Sequence, residues 1–326
     1  MVAKAELHCH IEGAAYPELV LRQAKKYNTD VSGIISPQGE YSWIDFTDFL
    51  RAYDLAASLF RTRQDYALLA THYLTSLAAE GAIYSEFFVS TDHAIGAGTD
   101  PAEYLEGLAD GIKSAKATTG IEGRMVAIGL RHSGPAAVLE TAHWIAANPH
   151  PLVTGFGMAG DERVRHAVDF APAFEVARKA GLGITVHAGE LCGAESVRDA
   201  LDHIRPERIG HGVRAIEDPN LVERIAASGV VLEICPVSNI CMKVFPNFKA
   251  HPFRRLQEAG CRVTLNSDDP PHFQTSIGRE YEIAQREFGY SERELAGFTR
   301  TAIEAAFVDG ETRATLLERI DGGDIR

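Results

Sequence analysis

The chain has 326 residues, 45% of them hydrophobic and 24% charged. These are proportions of an ordinary globular protein, enough for a sizeable core and incompatible with intrinsic disorder. Thirty-two Lys and Arg against 45 Asp and Glu leave a net charge of −13, a sign that repels phosphate backbones and argues against nucleic acid as a partner. No stretch approaches the roughly 18 apolar residues of a membrane helix, so no membrane partner is expected. The opening residues, Met1-Val2-Ala3-Lys4-Ala5-Glu6, contain no apolar signal region, which gives a cytoplasmic location as the expectation. Five cysteines, Cys9, Cys192, Cys235, Cys241 and Cys261, are odd in number and form no C-x-x-C pair. They read as reduced, mostly buried thiols.

In chain order, short β-branched runs alternate with longer helical patterns. Strands are expected over Ala5–His10, Ile83–Ser90, Arg124–Leu130, Leu152–Phe156, Gly183–His187, Arg208–His211, Val230–Ile234 and Arg262–Asn266. Several are almost wholly apolar, as parallel strands buried on both faces should be. Helices are expected over Pro101–Ala117, Ala136–Ala147, Pro172–Ala180, Ser196–His203, Pro219–Ala227 and Pro252–Ala259. Gly181, Gly229 and Gly260 stand where left-handed helix caps belong. Eight strands with intervening helices is the count of a (β/α)₈ TIM barrel, although the pattern alone also allows a doubly wound sheet. The stretch Gly13–Glu80 holds extra helical patterns and predicts a helical insertion after the first strand, over one mouth of the barrel. Phe46, Phe49, Leu50, Tyr53 and Leu55 in it are candidates for a pocket wall, with the core of the helical layer as the simpler expectation for most of them. Ile277–Ile320 predicts extra C-terminal helices. With no repeat or linker, residues 1–326 read as one barrel domain.

Polar residues gather at the C-terminal ends of the predicted strands, where barrel active sites lie. In His8-Cys9-His10 the two imidazoles, two residues apart on a strand, point to one face and could share a metal ion. His187-Ala188-Gly189-Glu190 supplies a third nitrogen and a carboxylate. Gly210-His211-Gly212 leaves a histidine free for close approach, and Asn266-Ser267-Asp268-Asp269-Pro270 offers two carboxylates aimed in different directions. Each has an ordinary alternative: a core histidine, a turn, a helix cap. Their joint placement on one face is what turn residues scattered at random rarely achieve. Three histidines and one carboxylate suit Zn²⁺, which brings the pKa of a bound water to about 7 and predicts hydrolysis at an electrophilic carbon.

Three other motifs lead elsewhere. Gly155-Phe156-Gly157-Met158-Ala159-Gly160 fits the dinucleotide fingerprint, but Asp161 and Glu162 follow at the point where a pyrophosphate needs a positive helix end. His10-Ile11-Glu12 matches the H-x-E of cytidine-type deaminases without their P-C-x-x-C partner. The predicted fourth strand lacks the lysine with which binuclear barrel hydrolases bridge two metals, which favours one ion per chain.

With these residues in view, the chain resembles the adenosine deaminase family of metal-dependent (β/α)₈ hydrolases over nearly its whole length. The resemblance rests on Glu6-Leu7-His8-Cys9-His10, Met158-Ala159-Gly160-Asp161-Glu162, Thr185-Val186-His187-Ala188-Gly189-Glu190, Arg208-Ile209-Gly210-His211-Gly212, Glu233-Ile234-Cys235-Pro236-Val237-Ser238-Asn239 and Asn266-Ser267-Asp268-Asp269-Pro270. It implies that His8, His10, His187 and Asp268 bind Zn²⁺ and that Glu190 protonates purine N1. It further implies that His211 and Asp268 orient and deprotonate the attacking water, that Asp269 holds N7, and that the Gly160 N–H contacts N3. His10 and Glu12 would complete the substrate site.

Departures from the family bear on the substrate. Glu12 replaces the usual aspartate that holds a ribose hydroxyl, Gly157 replaces another aspartate, and Glu86-Phe87-Phe88-Val89-Ser90 lacks a common arginine, which looks closer to adenine-specific members. Against this, Gly210 and the intact Ala159-Gly160-Asp161-Glu162 stretch favour a nucleoside. The expectation is therefore deamination of adenosine or deoxyadenosine in purine salvage, with free adenine or a modified 6-aminopurine nucleoside as the alternative. A non-catalytic purine-binding protein is the remote alternative. The partner is a small neutral purine, and the sequence leaves a homo-oligomer open.

Overall fold

The structure is a computed structural model that describes residues 2–322. Eight parallel strands, hydrogen-bonded in sequential order, form a nearly closed (β/α)₈ barrel. They are β1 (Lys4–Glu6), β2 (Ala82–Val89), β3 (Glu122–Leu130), β4 (Val153–Ala159), β5 (Gly183–Ala188), β6 (Arg208–His211), β7 (Val231–Ile234) and β8 (Arg262–Leu265). Sequential order removes the doubly wound alternative, whose strand order reverses at a switch point. Every residue of β2 is buried, which is why the strands read as apolar runs rather than as alternating ones.

Three helices lie between β1 and β2, Pro17–Tyr27, Phe46–Ala57 and Arg63–Ala79. The last packs on Pro101–Thr119, whose Gly107 and Gly111 admit the neighbouring backbone: a Cβ there would meet the Arg63 carbonyl at 2.5 Å and the Ala67 carbonyl at 2.6 Å. Phe46–Ala57 instead crosses the C-terminal mouth of the barrel. The tail forms helices Ile277–Phe288, Glu292–Ala305 and Gly310–Gly322. Among the described residues no helix is long and apolar enough to cross a membrane.

Several boundaries differ from those the sequence suggests. The β1 ladder stops at Glu6, and beyond it only single bridges, Cys9 to Asp268 and His10 to Phe88, hold the chain. β4 runs on to Ala159 through its glycines. Gly155 and Gly183 leave room for the Phe307 ring, which lies 2.7 and 2.2 Å from the sites of their missing Cβ atoms. The fingerprint-like glycines therefore serve packing in part. The helix expected from Pro172 begins at Ala167, with Pro172 inside it. The helix expected over Ser196–His203 is Ala194–Asp199 followed by a π-turn, Ala200–Ile204.

Candidate active site

The four clusters end β1, β5, β6 and β8 and meet at one cavity of about 760 Å³, counted with its open mouth. His10, His187, Glu190, His211, Asp268, Asp269 and Gly160 line it, while His8 lies just behind, fully buried. Four of the five apolar candidates, Phe46, Phe49, Leu50 and Tyr53, roof the cavity from the crossing helix. Leu55 packs against the core instead.

His8, His10, His187 and Asp268 bring one donor atom each to within 4.8 Å of one another. Nε2 of His10 and Nε2 of His187 are 3.3 Å apart. Asp268 Oδ1 stands 3.4 Å from His8 Nε2 and 3.6 Å from His10 Nε2. Tetrahedral donors at about 2.0–2.1 Å from a zinc ion are separated by about 3.3–3.4 Å, so the spacing fits. His8 Nε2 is buried and has no hydrogen-bond partner, an orphan that a cation would satisfy. The outer nitrogens are already engaged: His8 Nδ1 with Glu233 Oε2 at 2.9 Å, and His187 Nδ1 with the Met158 carbonyl at 3.0 Å. With Nδ1–H donating outward, each Nε2 lone pair points at the centre. A second set, His8, His211, Cys235 and Asp268, shares two of these donors, and its Cys235 thiol already donates to the Glu233 carbonyl at 3.7 Å.

The electrostatics separate the carboxyl groups into two kinds. Burial alone would raise Asp268, but His8, His211 and His10 hold it far below the usual range, as a carboxylate. Burial raises Glu190 well above its ordinary value, reinforced by Asp268 and Glu162. Asp269 is likewise raised, by burial and by Asp268. Carboxyl groups pushed apart in this way are how a site separates proton donors from acceptors. Burial pulls His10 down to about 3 and His211 to about 4, and drives His187 further below its usual value. Burial also opposes the charging of His8, yet Asp268 and Glu233 outweigh it and raise it to about 10. Bound metal and that proton compete for one Nε2. His211 Nε2 sits 3.7 Å from Glu190 Oε2 and 3.9 Å from Asp268 Oδ2.

Two of these residues pay a backbone cost. His211 and Asp268 have φ of 60° and 65°, left-handed values worth about 1–3 kcal/mol of strain each in a non-glycine residue. The strain turns both side chains into the cavity at the strand ends. Gly210 is constrained differently, since any Cβ would stand 2.7 Å from His8 Cε1.

Glu12, expected as a substrate contact, stands behind Tyr53 of the cavity wall. It is 2% exposed and outside the cavity lining. Its carboxylate accepts from the Tyr53 hydroxyl at 3.3 Å and from the Tyr104 hydroxyl in a very short bond. Other residues that shape the site carried no role in the sequence reading. Phe88 wedges its ring 4.7 Å from His8, 4.9 Å from His10 and 5.5 Å from His187. The Ser238 hydroxyl donates to Asp268 Oδ2 at 2.6 Å, and Asn239 Nδ2 lies 3.2 Å from His211 Nδ1. Glu233 had a usable signal, a charge inside the apolar run Val230–Ile234. Phe88, apolar among apolar neighbours, had none.

The family profile described as adenosine deaminase matches residues 3–322. A protein named adenine deaminase from Chelativorans sp. (strain BNC1) is 65% identical over 320 residues, covering 98% of each chain. Among solved structures, the adenine deaminase of Arthrobacter aurescens superposes with a TM-score of 0.91 at 27% identity, covering 99% of each chain. An amidohydrolase from Burkholderia ambifaria with bound Zn superposes at 0.86 and 25% identity, over 99% of this chain and 90% of that one. A match of this length, on a barrel whose strand ends carry the family's motifs, makes the chain a hydrolase of the adenosine deaminase family.

Proposed function

We propose that this enzyme hydrolytically deaminates free adenine to hypoxanthine and ammonia, acting through a single barrel domain. The nucleoside preferred from sequence gives way to its alternative, and one observation carries the choice. Glu12, which stands where the family's aspartate holds a ribose hydroxyl, gives its carboxylate to Tyr53 and Tyr104 behind the cavity wall. A sugar would meet the apolar roof without that acceptor, and unpaired polar groups are costly to bury. The names of the full-length relatives support the same choice. Gly210 and the Gly160–Glu162 stretch, which argued for a nucleoside, have duties independent of any sugar: clearance for His8, and anchorage of the neighbouring loop.

His8, His10, His187 and Asp268 would hold one divalent cation, Zn²⁺ by its donor set. Such an ion lowers the pKa of a water held there to about 7. Gly160 N–H donates to purine N3 and the neutral Asp269 carboxyl donates to N7, which fixes the ring. Glu190, held neutral by burial, donates its proton to N1 and so makes C6 electrophilic. His211 and Asp268 orient the attacking water and take up its proton. The proton taken from the water then passes to N6, C6–N6 cleavage releases ammonia, and the C6 hydroxyl returns a proton to Glu190 as it becomes the carbonyl of hypoxanthine.

A panel of adenine, adenosine and deoxyadenosine, followed by ultraviolet absorbance, tests the reading. Adenine is expected to exceed either nucleoside in kcat/KM by on the order of 10²-fold or more. Equal or better turnover of adenosine would overturn it.

A further inference from the structure

Glu162 lies two residues beyond Gly160 in the turn after β4, is 3% exposed, and has no part in the chemistry above. Its carboxylate is saturated with donors from the segment that follows β5. Oε1 accepts from the Gly189 N–H at 2.5 Å and from the Ser196 hydroxyl. Oε2 accepts from the N–H groups of Glu190, Leu191 and Cys192 at 3.1, 2.7 and 2.8 Å. Four successive main-chain N–H groups thus wrap one anion, the arrangement by which backbone concavities bind phosphates and carboxylates. Here the chain provides the anion itself. Gly189, at φ +73°, starts the wrap, with Val197 Cγ2 only 2.3 Å from where a Cβ would stand.

We infer that Glu162 is a positioning residue: it fixes the main chain of Glu190 and locks that proton donor to the Gly160 loop that meets the purine edge. The inference rests on the proposed role of Glu190. A carboxylate suits the task because it only accepts, and charge-assisted bonds to N–H groups are the strong ones. A carboxamide would present an NH₂ donor either to Gly189 and Ser196 or to the three N–H groups of 190–192. Either way, buried donors are left unpaired beside the acid. A displacement of about 1 Å at a reacting group costs roughly 10²-fold in rate.

The experiment uses the full-length, zinc-loaded protein and Glu162→Gln. Faster amide hydrogen exchange over residues 189–192 is expected, with kcat for adenine down about 10²-fold and KM and zinc content within a few-fold of the parent. Adding Glu162→Gln to Glu190→Gln should cost almost nothing further, because the group being positioned is already lost. Wild-type exchange over 189–192, a near-normal kcat, or losses that multiply in the double variant would overturn the inference. If Glu162→Gln does not fold, Glu162→Asp keeps the charge on a shorter stem and should show both quicker exchange and lower kcat; one without the other overturns it. The exchange measurement needs no substrate, so a failure of the adenine reading and a failure of this one are told apart.

Discussion

At the N-terminal end of the barrel Arg208, fully buried, donates to Glu233 Oε1 at 2.5 Å, to Glu86 Oε2 at 2.6 Å and to the Ala305 carbonyl at 2.9 Å. Its guanidinium lies 3.6 Å from the centre of the Phe307 ring. Arg208, Glu86 and Glu233 each have their partners there, with the Tyr84 hydroxyl and the Phe307 N–H donating to the other oxygen of Glu86. At the C-terminal end buried polar groups are left incomplete: His8 Nε2 and Asp269 Oδ1 are buried without partners, two backbones are strained, and burial raises two carboxyls well above their usual pKa. Glu233 belongs to both ends, since its other oxygen engages His8. A buried charge stabilises or reacts according to whether its neighbours satisfy it, and here one glutamate links a closed network to an open one.

Substitutions at the two ends should therefore fail differently. Glu190→Gln at the open end should keep its metal content and its stability while kcat falls by about 10²–10⁴-fold, read by steady-state kinetics beside metal analysis. Near-wild-type turnover would mean the proton donor lies elsewhere. Arg208→Met at the closed end strands Glu86 and Glu233 without a counter-charge and should cost about 3–5 kcal/mol in urea unfolding. A cost under about 1 kcal/mol would show that the network is not the brace described.

Glu280 gives a smaller, pH-dependent contrast near the open end, where it accepts from the Thr275 hydroxyl at 2.8 Å. Burial raises it to about 8. Its folded-state pKa thus exceeds its unfolded value of about 4.3, so the stability it allows is complete below that pH and is lost as pH rises through about 8. Glu280→Gln should flatten the decline in unfolding free energy between those limits; an unchanged slope would count against the buried, neutral acid. Least of all, Asp54→Asn breaks the rim pair with His93, 3.2 Å apart with the aspartate side chain 65% exposed. It should shift stability by less than about 1 kcal/mol, and a larger shift in thermal unfolding would reveal a stronger clasp on the roof helix.

The sequence disclosed the barrel because strands buried on both faces read as apolar runs, and it pointed to the candidate site because histidines and acids at strand ends are conspicuous. Its errors have local causes. β4 was cut short because Gly155 and Gly157 resemble a loop until Phe307 and Thr185 are seen filling the space beside them. Glu12 entered the expected site through its place in the family pattern, and nothing in the sequence links it to Tyr53 and Tyr104, 41 and 92 residues away. Glu162 stood out only as a charge unfavourable to a pyrophosphate and as part of the family stretch, because nothing in its neighbourhood foretells that a segment some 30 residues on will fold around it. Long-range hydrogen bonding is what periodicity and spacing do not encode.

The seam between the last strand and the first has no regular ladder. It is closed by the Cys9–Asp268 bridge, with Asp268 N–H donating to the His8 carbonyl and His10 N–H to the Asp268 carbonyl, each at 3.0 Å. The residues that shut the cylinder are thus the residues that converge on the candidate ion. Whatever draws His8, His10 and Asp268 together also draws the two ends of the sheet together, so affinity at the site and cohesion of the whole barrel are one free energy read in two places.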